Sequence, residues 1–215
     1  MIPPLWVFAG PSLPAADRIE WPGVVYRTPA ARDDITAAAD EAGAILLIDG
    51  VFHHDLAPSP REVVDACDRV TMFGASSMGA LRAAECRSFG MLGLGAIAGW
   101  YAHERIDGDD EVAVAMHPRT HVALSVPAVN VRYTARLAAR RGILSASAAH
   151  TWAVRARTQI FYADRTWDAA LALAPARHRA ALAVIARAEG DLKRWDARFA
   201  LRRAIRFLER APAGV

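Results

Sequence analysis

Apolar and polar positions fall into short blocks along the first half of the chain, and the length of each block selects an element. Leu5 to Phe8 is an apolar run closed by Gly10-Pro11-Ser12, which predicts a strand and a turn. Val24 to Arg27 predicts a second strand, and a helix from about Asp33 to Glu41 follows it, with Asp33 or Asp34 as cap. Ala44 to Ile48 is aliphatic throughout and ends in Asp49-Gly50, the pattern of a buried parallel strand. Ser59, Pro60 and Glu62 supply a cap, a first-turn proline and the acid of a capping box, so a helix is expected over Pro60 to Asp68. Val70 to Phe73 predicts a further strand, and a helix runs from Met78 to about Ser88. This rhythm predicts an α/β fold: a mostly parallel sheet with flanking helices in the N-terminal half.

Phe89 to Gly99 carries four glycines and reads as a close-packed turn region, and Gly108-Asp109-Asp110-Glu111 precedes the apolar run Val112 to Met116. From about Asn130 the pattern changes to Ala- and Arg-rich helix. The spacing predicts helices over Val131 to Arg141, Ser145 to Phe161, Trp167 to Leu173, Pro175 to Glu189 and Leu192 to Arg210. Gly142 and Gly190 fit helix ends, and Ser145 and Asp191 fit helix starts. The expected organisation is an α/β core over residues 1–130 and an Arg-rich helical region over 131–215 packed on it.

Composition sharpens this picture at four points. Hydrophobic residues make up 53% of the 215, with 23% charged, which describes a globular body and excludes a disordered one. No apolar run has the length of a membrane span, and the start lacks the features of an export signal. Two cysteines make no disulfide framework, so a cytoplasmic location is expected. The net charge of +3 conceals an asymmetry: residues 1–130 hold 9 Arg and 17 acids, net −8, and residues 131–215 hold 17 bases and 6 acids, net +11. Such a split fits either an acidic partner or attraction between the two halves.

The candidate chemistry gathers at one edge. Gly10-Pro11-Ser12, Asp49-Gly50 and Ser76-Ser77 all follow strands, which puts them at the carboxyl edge of the sheet where ligands of open α/β folds bind. Ala75-Ser76-Ser77-Met78-Gly79 has the small-x-Ser-x-Gly spacing of a nucleophile elbow, with Gly74 before it. Amides near Met78 and Gly79, at a helix start, are placed to receive an oxyanion. The same serine also suits a plain helix cap. Serine needs a base, and two are on offer. His53, in His53-His54-Asp55, is the best placed of seven histidines, though no metal-ligand spacing surrounds it. Lys193 is the only lysine among 26 basic residues. A lysine retained where arginine prevails has what arginine lacks, a proton it can lose. A place near a helix start, and burial, would each favour loss of that proton. Arg82 and Glu85 share a helical turn and are expected to pair. Asp109, Asp110 and Glu111 suit a loop or partner contact better than a metal. Cys86 reads as a small buried hydrophobe, with a sulfur relay as the other role open to it.

These residues resemble the TfuA-like family. The resemblance rests on Val7 to Leu13, Leu47 to Phe52, Arg61-Glu62-Val63, Gly74 to Glu85, Phe89-Gly90-Met91 and Asp109 to Val114, with an echo in Asp191 to Asp196. It implies a partner of a YcaO-family enzyme in peptide-backbone thioamidation, in natural-product (RiPP) biosynthesis. The implied activity is hydrolysis of a thiocarboxylated ThiS-like sulfur carrier to release sulfide, through a Ser–Lys pair, without a cofactor. Carried over, the nucleophile is Ser77, then Ser76, then Ser12, and the lysine is Lys193; Asp49, His53, Arg82, Glu85, Asp109, Asp110 and Glu111 edge the site or meet a partner. The implied partners are the YcaO enzyme, the carrier and the peptide substrate, with no membrane and no nucleic acid. Arg61 departs from the pattern, which carries Lys before the Glu, and arginine cannot act as a base. Two other functions fit the same residues: a non-catalytic adaptor for YcaO and the precursor peptide, and a generic serine esterase or amidase using a histidine.

Overall fold

The strands are β1 (Leu5–Phe8), β2 (Val24–Arg27), β3 (Ala44–Leu47), β4 (Thr71–Ala75) and β5 (Leu92–Leu94) in a computed structural model that describes residues 4–52 and 56–210. They form one sheet of order β2-β1-β3-β4-β5, and every pairing is parallel. Parallel strands need crossover connections, and α-helices supply three of the four here: α1 (Asp34–Glu41), α2 (Pro60–Cys67) and α3 (Met78–Glu85). The α/β architecture expected from the strand–helix rhythm is therefore present.

Strand alternation sends successive side chains to opposite faces, and two cores result. Leu5, Val7, Leu46 and Phe73 join one core, and Trp6, Phe8, Ile45, Leu47 and Met72 join the other. The second core is closed by Ile35, Ala38 and Ala39 of α1, Val63 and Ala66 of α2, and Ala83 of α3. The first core is closed by the last helix of the chain, α9 (Leu192–Arg210), through Ala197, Ala200, Leu201, Ala204, Ile205 and Leu208. Those six follow the 3.6-residue period of one helical stripe, so the C-terminal helix serves as a layer of the α/β unit.

Contacts divide the chain into a unit of residues 1–107 with 194–215 and a unit of residues 108–193. The expected boundary near residue 130 differs at both ends. Residues 108–127 belong with the helices, because Glu111 and Asp110 pair with Arg132 and Arg157 there. Most of α9 belongs with the sheet, because its apolar stripe is the sheet's cover. The second unit comprises α5 (Ala128–Arg140), α6 (Ala146–Thr158), α7 (Trp167–Ala172) and α8 (Arg179–Glu189), following α4 (Gly95–Ala102) of the first. Its core holds Val131, Ala135, Ala138, Trp152, Ala156, Leu182 and Ile185, and the Trp152 indole donates to the Ala170 carbonyl at 2.7 Å. Among the described residues no helix is long and apolar enough to cross a membrane.

Local expectations fare unevenly. Ser59 and Glu62 form the capping box of α2, with Pro60 at its start. Asp33 occupies the cap position of α1 at φ 71° without a side-chain cap bond, while the Asp34 carboxylate accepts from the Ala31 amide. The glycine-rich stretch read as a turn region contains β5 and α4. Gly90 and Gly95 turn there at φ 98° and 89°, and the residues between and after them are regular.

Two glycines with opposite surroundings test the packing. A Cβ at Gly79 would overlap the Leu47 carbonyl oxygen, whereas a Cβ at Gly99, inside α4, meets nothing. Gly79→Ala is expected to destabilise the protein by roughly 2–3 kcal/mol through overpacking. Gly99→Ala is expected to stabilise it by roughly 0.5–1 kcal/mol through helix propensity. Urea titration of both variants checks the pair, and equal effects would contradict the packing described.

Candidate functional site

β4 ends at Ala75 and α3 begins at Met78, so two serines must reverse the chain between a buried strand and a helix. Ser76 does this at φ 63°, in the left-handed region, where a non-glycine residue is strained by about 1–3 kcal/mol. Across it the Ser77 amide donates to the Ala75 carbonyl at 2.7 Å, closing a three-residue turn. Ser77 occupies the cap position of α3, yet its side chain makes no cap bond. Helix capping therefore does not account for that hydroxyl.

The flanking glycines have a steric reason. A Cβ at Gly74 would overlap the Gly79 carbonyl oxygen, and Gly79 lies against the β3 backbone with its amide donating to the Ile48 carbonyl at 3.1 Å. That amide is committed to packing. Among the described residues the Met78 amide has no hydrogen-bond partner, so it is the donor left at the helix start.

A residue that the spacing of the first half could not reveal holds this turn in place. The Asp196 carboxylate, from α9 and 4% exposed, accepts from the Ser76 amide at 3.1 Å, the Ala96 amide at 2.5 Å and the Ile97 amide at 3.4 Å. One side chain thus joins the serine turn to the first turn of α4. A Cβ on Gly95 would collide with this carboxylate, so glycine is required there for close approach as well as for its φ of 89°. Burial pushes the Asp196 carboxyl up to about 6, and the three amides, bonded to its charged form, pull the other way. Its only trace in the sequence is its place in the Asp191 to Asp196 echo.

A second carboxylate works in the same manner at the centre of the sheet edge. Asp49, just past β3, accepts from the amides of Gly10 and Ser12 at 2.8 and 3.0 Å and from the Ser12 hydroxyl at 2.7 Å. Beyond the end of β1, the continuations of its two neighbours pair at Ala30 and Gly50. Ser12 is thereby bound to Asp49, at the position where the strand order reverses. Glu62 is the third: besides its box with Ser59, it accepts from the Ile35 amide at 2.9 Å and so caps α1 from α2.

Lys193 belongs to the second unit. It is 3% exposed, and its amine donates to the Val112 carbonyl at 2.8 Å. Its amide donates to the Asn130 side chain, whose nitrogen in turn donates to Asp191. Glu111 is fully buried between Arg132 and Arg157, and Asp110 pairs with Arg157 at 2.8 Å, so both carboxylates are held inside that unit. Asp109 opens the short turn that carries them.

The remaining expected residues are placed as follows. Arg82 and Glu85 pair at 2.6 Å, and Arg82 also donates to the Pro58 carbonyl at 3.0 Å, bracing the entry to α2. Arg61 is exposed beside Asp65. Cys86 is buried, and burial pushes its thiol up to about 11, which leaves it protonated and a poor relay for sulfur. His53, His54 and Asp55 lie outside the described residues. Among the described residues no group of three His, Cys, Asp or Glu is placed to hold a metal.

Asp196 gives this account a measurable signature. Its folded-state value lies above that of the unfolded chain, so folding favours the protonated carboxyl. Its contribution to stability is full below about pH 4 and is lost as the pH rises through about 6. The stability of wild type relative to Asp196→Asn should therefore rise by roughly 2–3 kcal/mol between pH 7 and pH 4. Asp196→Ala, which leaves three amides without an acceptor, should destabilise by roughly 3 kcal/mol or more at pH 7. Urea titrations across pH check both, and a relative stability that falls toward acid would contradict the raised value.

No curated protein matches the chain. A family model described as TfuA-like protein matches residues 49–166, more than half of the chain. The matched segment contains Asp49, both serines of the turn, Asp109, Asp110 and Glu111, while Ser12, Lys193 and Asp196 lie outside it. The family is associated with YcaO-related thioamidation and with YcaO partnership in general. The chain belongs to the TfuA-like family.

Proposed function

We propose that this chain supplies sulfide for YcaO-dependent thioamidation of a peptide backbone in natural-product biosynthesis, by hydrolysing the C-terminal thiocarboxylate of a ThiS-like carrier. The observation that carries the reading is the left-handed turn at Ser76 between β4 and α3, held by Asp196. A nucleophile elbow places its serine on the strained residue of such a turn, which moves the assignment from Ser77 to Ser76. The single lysine supports the second half of the pair. Lys193 is buried and is the only lysine in the sequence.

In this mechanism the Lys193 amine takes the Ser76 proton as the hydroxyl oxygen attacks the thiocarboxylate carbon. The oxyanion of the tetrahedral intermediate is stabilised by the Met78 amide at the start of α3. Collapse breaks the carbon–sulfur bond, and the sulfur leaves as hydrosulfide with the proton returned by Lys193. Water, deprotonated by the same amine, then cleaves the acyl-serine. Lys193 returns its proton to Ser76, and the carrier leaves as a carboxylate with its acid proton passing to solvent. An unperturbed lysine has a pKa of about 10.4, so the base role requires a depression of roughly three units.

Sulfide release from a thiocarboxylated ThiS-like carrier tests the assignment. Ser76→Ala and Lys193→Arg are each expected to lower it by on the order of 10²–10⁴-fold, with folding checked by circular dichroism. Ser77→Ala is expected to act less. Unchanged release in Ser76→Ala and Lys193→Arg would remove the pair. No release by wild type, with thioamidation by the YcaO enzyme still depending on this chain, would instead establish an adaptor. Turnover of small activated esters that survives Lys193→Arg would establish a serine esterase of another kind.

A further inference from the structure

The edge strand β5 and the last two turns of α9 enclose a groove of about 520 Å³ that plays no part in the serine chemistry. Its floor is apolar: Phe73, Leu92, Leu94 and Phe207, with the two phenylalanine rings meeting edge to face at 5.3 Å. Leu92 and Phe207 are 40% and 48% exposed, so part of this floor faces solvent in the isolated chain. One wall is β5, the last strand in the sheet order, where Leu92 and Gly93 are both exposed. The other wall carries Arg203, Arg206 and Arg210, spaced to lie along one side of the helix. Among the described residues none of the three forms an ion pair, unlike Arg132, Arg157 and Arg194.

Each feature selects for the same kind of occupant. An open strand edge offers backbone amides and carbonyls to an extended chain, which is how peptides add to sheets. An apolar floor between walls takes alternate side chains of such a chain. Three unpaired guanidinium groups along one rim call for carboxylates, which they bind with paired hydrogen bonds. A nucleic acid would satisfy the rim and leave the apolar floor unused. A neutral apolar peptide would do the reverse.

We infer that this groove binds an extended acidic peptide segment, which adds to the free edge of β5, seats apolar side chains on Phe73, Leu92 and Phe207, and pairs its carboxylates with Arg203, Arg206 and Arg210. The occupant belongs to another molecule, and the inference does not rest on the hydrolytic reading, because none of these residues lies in the serine turn.

A display library of random linear peptides, selected on the full chain, is the probe. Enriched peptides are expected to be rich in Asp and Glu interspersed with Leu, Val or Phe. The best of them, synthesised with a fluorophore, is expected to bind an Arg203→Glu/Arg206→Glu variant at least about tenfold more weakly than wild type. Because both arginines are exposed and unpaired, that variant is expected to keep the wild-type melting curve. Leu92→Asp should also weaken binding, and backbone amide exchange at Leu92–Leu94 should slow in the complex. Enrichment of basic or uncharged peptides, equal binding to the charge-reversed variant, or displacement by oligothymidylate as effective as by the acidic peptide would each overturn the proposal.

Discussion

Asp196 reaches from the C-terminal helix to two turns that follow neighbouring strands, and its carboxylate holds both. At one it accepts the amide of the strained Ser76, and at the other it caps the start of α4. A left-handed serine persists only where its surroundings over-determine it. Here they are the bond from Asp196, the bond from Ser77 to Ala75, and the contact of Gly79 with the β3 backbone. The same helix also closes one face of the sheet with its apolar stripe, so the packing of α9 and the geometry of the turn are set together. The carboxyl sits near its midpoint at about pH 6, because burial raises it against three favourable amides.

The same device recurs along the sheet edge. Asp49 gathers the loop after β1, Glu62 caps α1, and Asp196 gathers the loop after β4. Each carboxylate accepts amides from a segment distant in sequence, which organises loops that have no apolar core of their own. Amide donors replace part of the water these carboxylates lose, and at Asp196 burial still outweighs them. Backbone amides, with no cation among these contacts, hold the edge of the sheet.

The parts of the fold that rest on local signals were legible in the sequence. Four strands, the capping box of Ser59 and Glu62, and the existence of the C-terminal helices follow from period, cap and turn residues within a few positions. What was not legible depends on contacts between distant segments. The four glycines from Gly90 to Gly99 conceal a strand and a helix, because Gly95 is there to admit Asp196 rather than to end an element. The contact units differ from the compositional division for a related reason: composition changes near residue 130, but packing follows the apolar stripe of α9 and the arginine pairs of Asp110 and Glu111. The serine turn follows from spacing, and its strain at Ser76 is visible only in backbone angles. The charge asymmetry resolves into two uses. Arg132, Arg157 and Arg194 pair with acids of the first half, and among the described residues the arginines at the end of α9 form no such pairs.

In the proposed mechanism the residue strained by this arrangement takes the acyl group. Acid-quenched mixtures of the protein with a thiocarboxylated ThiS-like carrier, digested and read by mass spectrometry, measure that directly. The carrier's C-terminal acyl group is expected as an ester on Ser76, absent from the Ser76→Ala variant. Sulfide release with the acyl group on another residue, or with no ester at any time after mixing, would contradict it.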